Sequence, residues 1–78
     1  MNELILKEMN REKIIYLYRP EKEGEYGEIL YSFIDDVATT IKKAEKDMYG
    51  KYGYMAEKKV KECVDKKNLP MQCIQAWY

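Results

Sequence analysis

The residues of this chain whose types could do chemistry are few: Cys63 and Cys73, the adjacent acids Asp35 and Asp36, and Lys58, Lys59, Lys61, Lys66 and Lys67. The 78-residue sequence has no histidine. That removes the commonest general base, the commonest zinc ligand and the usual activator of a nucleophilic serine or cysteine. Two cysteines alone do not complete a zinc site, and with no imidazole to stabilise a thiolate they read as reduced, packed as small hydrophobes. Asp35 and Asp36 point in different directions as neighbours and have no third acid at a suitable spacing, so they read as helix-capping residues rather than a Mg²⁺ site. "GKYG" (50–53) is too short for a phosphate-binding loop and lacks a preceding strand. The single serine, Ser32, falls inside a strand-like run. The expectation is a protein that is not an enzyme, with no cofactor, no metal and no small-molecule substrate.

The lysines invite a nucleic-acid reading, which their neighbours weaken. Glu57 and Lys61, Lys58 and Glu62, Lys61 and Asp65, and Glu62 and Lys66 stand four apart with opposite signs, so a helix here neutralises its own face. Lys51, Lys59 and Lys67 stay less compensated at eight-residue intervals. With the tyrosines at 49, 52 and 54 they form the alternative reading, phosphate contacts beside rings that stack on bases.

These groups need elements to position them. "KIIYLY" (13–18) alternates, with Ile15 and Leu17 on one side and Ile14, Tyr16 and Tyr18 on the other, which is a strand with two apolar faces. "RPEKEGEYGE" (19–28) has the Pro and Gly of a solvated turn, and "YGEILYSFI" (26–34) is the returning strand of a long hairpin. Residues 3–9 suit either a strand or a short helix. In "DDVATTIKKAEKDMYG", Val37, Ile41, Ala44 and Met48 form a stripe at helical spacing, which predicts a helix over 36–49. A second helix over 54–67 carries Ala56, Val60, Cys63 and Val64 on one side. Gly50 and Gly53 each cost about 1 kcal/mol inside a helix and favour a break between the two, although a continuous helix stays open. "MQCIQAWY" (71–78) reads as a final strand. The expected fold is α+β: a small antiparallel sheet of three to four strands with two helices packed on one face, in the order β(β)β-αα-β.

The bulk numbers fit one compact domain over residues 1–78. Hydrophobic residues make up 46% and charged residues 36%, a globular balance. Fourteen bases offset fourteen acids, so no net field draws nucleic acid or anionic lipid. No run is long enough to span a membrane and no leader-like segment is evident, which points to the cytoplasm. The unusual feature is eight tyrosines. The leading expectation is a small protein-interaction module, a regulator or inhibitor, possessing an aromatic-rich surface of Tyr16, Tyr18, Tyr49, Lys51, Tyr52, Tyr54, Trp77 and Tyr78. Its partner would be another protein or a second copy in a homodimer.

Overall fold

The alternation of "KIIYLYRP" sets the architecture in the computed structural model, which describes residues 1–76. Strand β2 (Lys13–Pro20) buries Ile14, Tyr16 and Tyr18 on one side and turns Ile15 and Leu17 to the other. It pairs antiparallel with β1 (Asn2–Met9) and with β3 (Gly27–Ser32), the hairpin expected from the sequence. Residues 3–9 are therefore strand. The turn between β1 and β2 is held by Asn10, whose Oδ1 accepts the N–H groups of Glu12 and Lys13 at 2.8 and 3.0 Å.

Two corrections concern the middle of the chain. The run expected to be a helix over 36–49 is strand β4 (Val37–Lys42) followed by a loop. Val37, Thr39, Thr40 and Ile41 are all β-branched, types that pack well on a pleated surface and lose side-chain freedom in a helix. Of the supposed helical stripe only Ala44 is buried, while Val37, Ile41 and Met48 are exposed. Asp36 is not a helix cap: it holds a left-handed turn (φ 55°) and accepts a hydrogen bond from the Tyr31 hydroxyl. The α+β class stands, with five antiparallel strands in the order β4-β3-β2-β1-β5 and one helix among the described residues.

That helix, α1 (Lys51–Asp65), lies across β4 and β3 and reaches β2 and β1. Ala56, Val60 and Cys63 face the sheet, where they meet Leu4, Ile14, Tyr16, Tyr18, Ile29 and Tyr31. The chain then places β5 (Gln72–Gln75) beside β1, with Cys73 inward and Ile74 outward. The strand is shorter than the expected 71–78, since Met71 and Ala76 lie outside it, and Trp77 and Tyr78 lie outside the described residues.

Gly50 and Gly53 have different duties, and only the first marks a helix boundary. Gly50 is the residue before the helix, at φ 76°. Gly53 sits inside the first turn, where a β-carbon would come within 2.8 Å of Thr40 Oγ1, 3.0 Å of the Tyr18 hydroxyl and 3.1 Å of Asp47 Oδ2. The close approach outweighs the propensity cost. Asp47, buried, then supplies the cap that glycine cannot: its Oδ1 accepts the Tyr52 N–H at 3.1 Å and its Oδ2 the Gly53 N–H at 2.8 Å.

Candidate interaction surface

Among the described residues three tyrosines, Tyr16, Tyr18 and Tyr31, are buried fasteners. Tyr16, 1% exposed, donates its hydroxyl to the Pro70 carbonyl at 2.6 Å, which holds the segment after α1 against β2. Tyr18 donates to Asp47 and accepts the Ala44 N–H. Tyr31 donates to Asp36. Burial pushes the Tyr16 phenol up to about 12, and burial raises Tyr18 further, helped by the Asp47 carboxylate. Tyr16 and Tyr18 are thus core residues, and they have no surface to offer a partner. Periodicity showed that they share a face; only the helix above them shows that the face is closed.

The remaining expected residues divide. Tyr49 is 90% exposed and Tyr54 56%, while Lys51 is exposed and Tyr52 half-buried. Lys58 lies over the Tyr54 ring, 4.9 Å from its centroid. The structure brings Tyr49, Lys51 and Tyr52 to the start of α1, around a hollow of about 280 Å³. Trp77 and Tyr78 lie outside the described residues. Lys51, Lys59 and Lys67 do not form a stripe: Lys59 pairs with Glu62 at 3.4 Å, and Lys67 lies beyond the helix in a left-handed conformation.

The more open surface is one that helical spacing concealed. Among the described residues strand β4 is an edge strand, paired only with β3. The Thr40 N–H turns away from β3 and donates to Glu57 Oε2 of α1 at 2.9 Å, and the Thr40 hydroxyl donates to the same oxygen at 2.7 Å. Backbone groups of an antiparallel strand alternate between its two edges. Ala38, two residues back and clear of the bulge near Lys42, therefore presents both N–H and C=O to the open side. Among the described residues no backbone group outside the strands pairs with it.

Between this edge and α1 runs a groove of about 650 Å³, whose lining includes Val37, Ala38, Lys58, Lys61 and Asp65. Val37 and Ile41 are each 51% exposed along β4, and Ile34, at the tip of the β3–β4 turn, is 81% exposed. The groove's end near Asp36 is electrostatically fixed. Lys61 bridges Asp36 at 3.1 Å and Asp65 at 2.7 Å, and these bonds raise the Lys61 pKa. The Tyr31 and Lys61 hydrogen bonds lower that of Asp36.

The face of the sheet opposite α1 is better screened. Ile5, Leu17 and Leu30 are half-buried there and Ile15 is buried. Across them run ion pairs between Arg19 and Glu3 at 2.8 Å, Lys7 and Glu28 at 3.3 Å, and Lys13 and Glu8 at 3.5 Å. Burial alone would raise the Glu3 pKa, but hydrogen bonds from Tyr26 and Arg19 outweigh it and hold it low. Long charged side chains can cover apolar surface with their stems. The β4 edge has no such roof.

Among the described residues no helix is long and apolar enough to cross a membrane. No protein-family model, curated protein or solved structure matches the chain.

Proposed function

We propose that this protein is a small non-catalytic interaction module of the cytoplasm, a regulator or inhibitor that holds its target by adding a strand to the edge of β4. The observation that carries the reading is the outward N–H and C=O of Ala38, set in a groove whose far wall is α1. An open edge is a template for an extended polypeptide: main-chain hydrogen bonds supply affinity, and alternate side chains meet the neighbouring surface. Val37 and Ile41 on the strand, with Ile34 in the turn before it, give that segment apolar contacts. Of the expected aromatic surface, Tyr49, Lys51, Tyr52 and Tyr54 remain at least partly accessible at the start of α1.

The test is selection of binders from a displayed library of random linear peptides, followed by Ala38→Pro. Proline removes one outward donor and is tolerated on edge strands. Selected peptides are expected to bind the parent chain and to lose binding to the variant while its thermal midpoint holds. Failure to select any peptide, or binding indifferent to A38P, contradicts the reading.

A further inference from the structure

We propose that the strand received by β4 is the β4 of a second copy of this chain, laid antiparallel across a two-fold axis at Ala38. The inference rests on the strand-addition reading and supplies its occupant. The product joins two five-stranded sheets edge to edge, with both helices on the same side.

The backbone singles out the axis. A two-fold through Ala38 sets that residue opposite itself, so that each copy's N–H donates to the other copy's C=O. Thr40 does not need a partner there, because Glu57 already accepts its N–H.

The helix supplies an independent argument from charge. Glu57, Lys58, Lys61, Glu62, Asp65 and Lys66 line the groove. An antiparallel pairing centred between Lys61 and Glu62 sets Glu57 against Lys66 of the second copy, Lys58 against its Asp65, and Lys61 against its Glu62. All three pairings are opposite in sign, and the symmetry repeats each of them. Self-complementarity of this kind is what an isologous interface requires.

The two centres lie close together. The bonds of Glu57 to Thr40 and of Lys61 to Asp36 show that α1 runs opposite to β4. A helix rises about 1.5 Å per residue, so the point between Lys61 and Glu62 lies about 7 Å beyond Glu57. A strand rises about 3.4 Å per residue, so measured from the Glu57–Thr40 bond the same distance toward Asp36 is about two residues, which reaches Ala38, while the Lys61–Asp36 pair draws the helix centre on toward Asp36. Two separate features, the outward peptide group and the charge order of the helix, thus lie near one axis.

The experiment is sedimentation equilibrium of the full chain and of Lys58→Asp, Asp65→Lys and the double variant. The parent is expected to form a reversible dimer with a Kd of about micromolar order. Each single reversal opposes like charges twice and is expected to weaken the dimer about tenfold or more. Mixing K58D with D65K, or combining both changes in one chain, recreates opposite pairs and is expected to restore association. Restoration on mixing is a result that a change within one fold does not produce. A parent chain that stays monomeric at high concentration overturns the proposal, as does a dimer indifferent to A38P or to the charge reversals. If the parent is monomeric yet still binds selected peptides through the Ala38 edge, the second copy is refuted as occupant while strand addition stands.

Discussion

Tyr18 and Asp47, 29 positions apart, meet in a buried hydrogen bond of 2.7 Å at the start of α1. The same carboxylate accepts the N–H groups of Tyr52 and Gly53, and the same phenol accepts that of Ala44. One pair of side chains therefore fixes β2, the loop after β4 and the N-terminus of the helix. Tyr18→Phe removes the hydroxyl, strands the Ala44 N–H and is expected to cost about 1–3 kcal/mol. Asp47→Ala uncaps the helix as well and is expected to cost more. Urea denaturation of both variants measures the difference; equal stability of D47A and the parent would refute the cap.

Two glycines clear the space around that pair. A β-carbon at Gly27 would run into the Tyr18 ring and come within 2.6 Å of the Lys42 carbonyl. Gly27→Ala is expected to lower stability by about 1–3 kcal/mol through overpacking. Gly53→Ala tests a sharper opposition, because alanine gains about 1 kcal/mol from helix propensity alone. Net destabilisation of G53A is expected, since the contacts at Thr40, Tyr18 and Asp47 leave no room. A net gain would show that α1 can shift away from the sheet.

The hairpin of β2 and β3 was legible because its apolar residues alternate and Gly24, Gly27 and Pro20 bracket the turn. The helix α1 was legible from Ala56, Val60 and Cys63, although it starts at Lys51, three residues before the expected 54. Strand β4 was not legible, because Val37, Ile41, Ala44 and Met48 happen to recur at helical spacing. The four β-branched residues between 37 and 41 were the available signal against it. With that strand misassigned, Val37, Ala38, Ile41 and the edge role of Glu57 could not be found. The tyrosines misled for another reason. A phenol suits a half-wet surface and a buried site with a partner equally, and the partners of Tyr16 and Tyr18 lie far along the chain.

Alkaline pH tests the fastening tyrosines. A phenol whose pKa is raised on folding contributes stability below its unfolded value and loses it as the pH climbs toward the folded one. For Tyr16 that window runs from its ordinary value near 10 to about 12. Unfolding is expected to grow across this range and to coincide with the appearance of phenolate absorbance. Tyr16→Phe is expected to reduce the slope; an unchanged slope would contradict the assignment.

Acid acts on Glu3 with the opposite sign. Its pKa is lowered in the fold, so its contribution is present above the ordinary glutamate range and lost as the pH falls through the folded value. Glu3→Gln is expected to flatten the acid side of the stability profile. An unaltered profile would mean that the bonds from Arg19 and Tyr26 do not favour the carboxylate.

Cys63 is buried at the end of α1, and burial raises both thiols, Cys63 and Cys73. Slow reaction of Cys63 with a thiol reagent is expected in the folded protein, with fast reaction in denaturant. Fast labelling of Cys63 in the native state would argue against the closed packing of α1 on β1 and β2.

The central claim is that the open edge of β4 does the binding, and hydrogen exchange at the Ala38 amide tests it most directly. On a free chain that amide is expected to exchange as an unpaired group, and to become protected when the edge is filled by a second copy at rising concentration or by a selected peptide. Protection that arises at other strands while Ala38 exchanges unchanged would contradict the account.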